Sequence, residues 1–151
     1  VVAAGNQGGD VAKRIPAAYP EVITVAAFAD SNGLPPSDGV GPKTCDRNAD
    51  DVFWRFSNSG DAVAIAAPGA CSASLRTDRG VVRYSGTSMA TPHVTGALAR
   101  FLAENPGASV ADARLWLETE ASVAPDNPED YGKYGLRDGS GEPVLWLQPS
   151  P

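Results

Sequence analysis

The sequence predicts an α/β fold, a parallel sheet flanked by helices, on three observations. Short continuous apolar runs, Val1–Ala4, Val22–Phe28 and Val63–Ala67, each stop at turn residues, as strands covered on both faces of a parallel sheet do. Two longer stretches, Val94 to Glu104 and Val110 to Glu120, have helix-forming composition. A further run, Val81 to Tyr84, leads through Gly86 straight into the first of these helices.

Composition bounds the class. At 151 residues and 42% hydrophobic content the chain holds one ordinary core, so it is one domain or part of one. A net charge of −6 argues against a nucleic-acid surface. No run reaches the length of a membrane span, and the first residues do not form a signal peptide. Val1-Val2-Ala3-Ala4 reads as the middle of a buried strand, which leads us to expect the later part of a longer polypeptide.

In chain order, Val1 to Ala4 ends at Gly5-Asn6, and Asn6 offers a carboxamide at the C-terminal end of its strand, where open α/β sheets carry functional groups. By turn chemistry alone it is an ordinary Asn before Gly8-Gly9. Ile15 to Pro20 is a turn-rich connection to the second strand, Val22 to Phe28. From Ser31 to Arg55 Gly, Pro and Asp dominate without periodicity, a long loop. Within it Asp46 to Asp50 alternates oxygens like a calcium loop, but Asp51 stands where the turn Gly belongs and Ser57 where the bidentate Glu belongs. A solvated acidic loop fits better.

Phe56 to Gly60 leads into the third strand, Val63 to Ala67, closed by Pro68-Gly69. The first helix, rich in small or apolar residues (Ala90, Val94, Gly96, Ala97, Leu98 and Ala99), is expected to be buried on most sides, with Gly96 allowing close packing on a strand. Asn105-Pro106-Gly107 stops it, and the second helix places Val110, Ala113, Leu117 and Ala121 on one face. Residues 1–121 thus form the main body. Residues 122–151 form a terminal loop and short hairpin, Tyr134–Leu136 with Val144–Leu147, returning to pack on the same domain.

The chemistry is concentrated in Gly86-Thr87-Ser88-Met89-Ala90-Thr91-Pro92-His93. Proline is tolerated within the first turn of a helix, so Pro92 sets the helix start at about Thr87 or Ser88. Ser88 then lies at the positive helix end, where free N–H groups favour a developing negative charge. An isolated Ser there is ordinarily a cap.

This run resembles the nucleophile motif of the subtilisin-like serine proteases, G-T-S-x-[AS]-x-P-H. V-V-A-A-G-N at Val1 to Asn6, Y-P-x-V-I-x-V at Tyr19 to Val25 and F-S-N-x-G with A-P-G at Phe56 to Gly69 resemble the same family. The resemblance is clear to about Glu104 and looser to Leu136. It implies the C-terminal part of the family's three-layer catalytic domain and a serine endopeptidase. Ser88 would be its nucleophile, and Asn6 with the Ser88 N–H its oxyanion hole. Ala3, Ala4 and Gly5 would form one wall of the substrate pocket, with Gly86 and Thr87 also binding substrate. The expected partners are a peptide or protein substrate and the upstream part of the same domain.

The resemblance also implies a secreted or extracytoplasmic protein, in which Cys45 and Cys71 would form a disulfide; reduced thiols are the alternative. No cofactor is required. A structural calcium ion is allowed for, with Asp30 the matching position for the cation that some relatives bind.

His93 is the chain's one histidine. Five residues beyond Ser88 on the same helix, it projects roughly 140° away and ~7.5 Å along the axis, so it is not that serine's base. A structural role, bonding neighbouring segments, is expected. The family's acid and base precede both the Asn and the Ser, so they are expected in an upstream segment. Two other readings make different demands on the sequence. A binding module that had lost catalysis would predict decay of Ser88, Asn6 or their glycines. An esterase of the G-x-S-x-G type would need Gly where Ala90 stands.

Overall fold

In a computed structural model, the residues described are 1–29, 52–123 and 143–145. Among them the main sheet has six strands. β1 (Val2–Ala3), β2 (Thr24–Ala29) and β4 (Ile65–Pro68) run parallel, and β3 (Val52–Phe53) pairs antiparallel on β2. A separate antiparallel hairpin, β5 (Ser72–Leu75) with β6 (Val81–Tyr84), precedes the two helices, α1 (Thr87–Glu104) and α2 (Val110–Thr119). The main sheet is completed by β7 (Ser122–Val123) and β8 (Val144–Leu145), β8 lying parallel to β4 and antiparallel to β7.

Strand β2 is buried along its whole length because it has a core on each side. Val25, Ala27 and Ala29 face Val94, Ala97 and Leu98 of α1, together with Ala113 and Leu117 of α2. The alternate residues Ala26 and Phe28 face Val11, Ala17, Phe53 and Val63. This two-sided burial is why the strand reads as a continuous apolar run rather than an alternating one.

Several expectations are corrected. Val2 and Ala3 are only half-buried and Val1 is 44% exposed, because among the described residues β1 is an edge strand paired on one side. Val81 to Tyr84 forms a strand, but in the hairpin with Ser72–Leu75, where Val81 and Tyr84 remain exposed. The stretch read as a loop ends in β3, anchored by buried Phe53 and Trp54.

Helix α1 is covered on one face only. Thr87, Ala90, Val94, Ala97 and Leu98 are buried, whereas Pro92, Thr95, Gly96 and Ala99 are exposed. A Cβ added at Gly96 would meet nothing, so it is not a packing glycine. Val110 is exposed too, because it is the first residue of α2; Ala113, Leu117 and Ala121 are buried as expected. The tail does return to the domain, with Leu145 in the core, but the partner of β8 is β7. Tyr134–Leu136 and Trp146 lie outside the described residues.

Candidate active site

Helix α1 begins at Thr87, but Pro92 is its sixth residue and therefore lies in the second turn. The proline removes the donor that the Ser88 carbonyl would otherwise meet one turn on. The helix start is instead fixed by the sheet. The Gly86 N–H donates to the Gly69 carbonyl at 2.7 Å, just past the C-terminal end of β4. A Cβ on Gly69 would lie 2.5 Å from the Ala27 Cβ and 2.9 Å from the Gly86 carbonyl oxygen, so only glycine permits this approach.

Asn6, past the end of β1, meets the same turn from the other side. Its Oδ1 accepts from the Thr87 N–H at 2.9 Å and from the Thr87 hydroxyl at 3.1 Å. That hydroxyl in turn accepts from the Gly5 N–H at 3.1 Å. With both donors on Oδ1, the network fixes which end of the amide is oxygen, and the NH2 end is left free to donate. Gly86 makes room: it has φ +153°, and a Cβ there would come within 3.3 Å of the Asn6 Nδ2.

Ser88 is exposed at the second helical position. Among the described residues neither its N–H nor its hydroxyl has a hydrogen-bond partner, and the Asn6 NH2 has none either. The site therefore presents one hydroxyl and two uncommitted donors at a helix N-terminus, an arrangement suited to stabilising an oxyanion beside a nucleophile. Ser88 also lies between two grooves. One, of about 660 Å³, is lined by Val2, Ala3, Thr91, Pro92 and Gly96; the other by Ser72, Ser74, Tyr84, Met89 and His93.

The loop that carries Asn6 is held from beneath by Asn58, which has no accessible surface. Its NH2 donates to the Ala4 carbonyl at 2.7 Å and to the Gln7 Oε1 at 3.1 Å. Its Oδ1 accepts from the N–H groups of Gln7 at 3.2 Å and Gly9 at 3.0 Å. Its own N–H donates to the Gly5 carbonyl at 2.9 Å. The adjoining Ser57 is equally buried, accepting from the Ala27 N–H at the centre of the sheet.

Of the residues singled out in the sequence, Gly5, Asn6, Gly86, Thr87 and Ser88 come together. Ala3 lines the larger groove, but Ala4 has no accessible surface and stands behind it. His93 bonds the Met89 carbonyl of its own helix through Nδ1 at 2.9 Å, rather than tying neighbouring segments together. Cys71 is disulfide-bonded; Cys45, the other cysteine of the sequence, lies outside the described residues, as do Asp30 and the acidic stretch 46–51. No group of three His, Cys, Asp or Glu able to hold a metal occurs among the described residues.

The family resemblance covers Phe56 to Gly60 but assigns Asn58 no role. The three polar residues in succession there suggest solvent. Their burial follows from loop carbonyls and amides that only the folded chain brings to them.

A model of the subtilase family matches residues 1–141, and the chain belongs to that family. Among its relatives are Subtilisin-like protease 6 of Trichophyton verrucosum, 34% identical over 93% of this chain and 30% of its own, and Subtilisin-like protease 7 of Arthroderma otae, 40% identical over 67% and 20%. Similar solved structures include a cold-adapted subtilisin-like serine proteinase, with TM-score 0.71 and 28% identity over 98% of this chain and 44% of that one. A psychrophilic protease gives TM-score 0.72 and 30% identity, over 97% and 47%. The chain thus spans under a third of these curated relatives and less than half of the solved chains. No helix among the described residues is long and apolar enough to cross a membrane.

Proposed function

We propose that these residues are the nucleophile-bearing part of a serine endopeptidase that cleaves peptide bonds through an acyl-enzyme at Ser88. The observation that carries this reading is the Asn6 amide, locked through its Oδ1 to Thr87, the residue before Ser88, with neither its NH2 nor the Ser88 N–H partnered among the described residues. The Ser88 hydroxyl attacks the scissile carbonyl carbon as its proton passes to a base. The carbonyl oxygen becomes an oxyanion that accepts from the Asn6 NH2 and the Ser88 N–H. Collapse expels the amine, which takes the proton, and water releases the acid by the same steps in reverse. Ala3 to Gly5, Gly86 and Thr87 border the substrate, and Gln7, just beyond Asn6, brings no charge to it.

The base and the acid lie, in this reading, outside residues 1–151. His93 is the sole histidine of the sequence, and its Nδ1 is engaged with the Met89 carbonyl of its own helix. The exposed face of α1 around Thr95, Gly96 and Ala99, together with the half-buried β1, is where the rest of the domain packs. The disulfide at Cys71 supports a secreted or extracytoplasmic site of action. A calcium ion held through Asp30 would serve structure, since the acyl transfer uses only side-chain and main-chain groups.

The test is to treat the full-length protein with an organophosphonate and locate the adduct by mass spectrometry. Labelling of Ser88 is expected, and its absence in a folded protein would favour a binding module that keeps the fold without catalysis. Residues 1–151 alone are expected to show no casein cleavage above background.

A further inference from the structure

Asn6 is fixed at two levels. Thr87 sets the rotation of its carboxamide, but the backbone that carries it, Ala4 to Gly9, is a loop past the end of β1, which among the described residues pairs with β2 alone. Such a loop does not hold an amide to within a few tenths of an ångström by itself. Asn58 spans it from underneath, bonding Ala4 and Gly5 on one side of Asn6 and Gln7 and Gly9 on the other. Every polar valence of this buried side chain that the structure shows is spent on that one loop.

We infer that Asn58 is a positioning residue for the reaction: by bridging both flanks of Asn6 it holds the oxyanion-donating amide at the height of the Ser88 N–H. The inference rests on the reading of Asn6 as an oxyanion donor. A donor aimed at charge that develops only in the transition state must be pre-placed, because reorganising it during the reaction forfeits its effect. A displacement of about 1 Å in such a group costs on the order of 10²-fold in rate. Loss of Asn58 therefore acts on turnover and not on substrate affinity, and it acts only while Asn6 is present to be misplaced.

That dependence gives the test. In the full-length protease, Asn58→Ala, Asn6→Ala and the double variant are assayed with a chromogenic peptide, each rate normalised by active-site titration of Ser88, with Tm measured alongside. Asn58→Ala is expected to lower kcat by about 10- to 100-fold with KM within about twofold. In the Asn6→Ala background the same change is expected to lower kcat by less than about twofold. An unchanged kcat, or the same fall in both backgrounds, overturns the inference and assigns Asn58 to the fold alone. If Asn6→Ala by itself leaves kcat within about threefold, the oxyanion reading of Asn6 fails first, and the inference with it. Should Asn58→Ala yield no titratable enzyme, Gln7→Ala, which removes the exposed end of the same bridge, decides. A fall of about threefold that vanishes in the Asn6→Ala background supports the inference, and an unchanged kcat overturns it.

Discussion

Thr87 donates its backbone N–H to the Asn6 Oδ1 at 2.9 Å, across 81 residues of sequence, and the Thr87 hydroxyl ties Gly5 into the same contact. The turn before the helix and the end of the edge strand are thereby one structural unit, and the chemistry proposed for Ser88 depends on its geometry.

Thr87→Val keeps the shape of the side chain and the backbone donor but deletes the hydroxyl. The Gly5 N–H then loses its acceptor, and Oδ1 of Asn6 keeps one donor of two. Turnover by the full-length enzyme is expected to fall about tenfold, the equivalent of roughly one net hydrogen bond. Stability should fall by about 1–3 kcal/mol for the orphaned N–H, measurable by denaturant unfolding.

Gly86 and Gly69 should fail in different ways when changed to alanine. At Gly86 a Cβ presses on the Asn6 amide from a backbone of φ +153°, so activity is lost out of proportion to Tm. At Gly69 the Cβ collides with Ala27 and the Gly86 carbonyl in a packed core, so unfolding at about 1–3 kcal/mol lower stability is the leading effect.

His93→Gln should leave kcat within about threefold, whereas removal of a general base costs about 10²–10⁴-fold. The His93 ring is exposed and bonds only its own helix among the described residues. A fall in the larger range would assign His93 to the proton transfer and overturn the placement of the base outside residues 1–151.

Helix α2 carries a carboxylate, Asp112, whose titration is displaced downward by its cap. Asp112 accepts from the Ser109 hydroxyl and then from the Ser109 N–H, and both bonds hold its carboxyl below the usual range. The folded state therefore favours the charged form. Its contribution is complete above the ordinary carboxylate range and disappears as pH falls through the lowered folded value. The Tm difference between the parent and Asp112→Ala should hold steady from neutral pH down to that range and close on further acidification. A difference that widens with acid would contradict the capping box as its source.

The elements and the nucleophile turn were legible because their signals are local. Val22 to Phe28 reads as a strand because two cores enclose it, and Gly86 to His93 reads as a turn into a helix because Gly and Pro constrain it residue by residue. The hairpin partner of Val81–Tyr84 was not legible, since Ser72–Leu75 is four residues long, half of them serine, and is mostly exposed. Nor was the one-sided burial of α1, since a small-residue helix covered on all sides and one awaiting a cover have the same composition. Asn58 escaped because its burial is set by the carbonyls and amides of a segment about fifty residues earlier.

Pro92 gives the helix an internal seam. Below it the first turn, with Ser88, is moored to Gly69 and Asn6, and beyond it Val94, Ala97 and Leu98 are moored to the sheet interior. In the proposed protease, changes past the seam bear chiefly on how firmly the molecule survives heat, whereas changes before it bear on the rate of cutting as well.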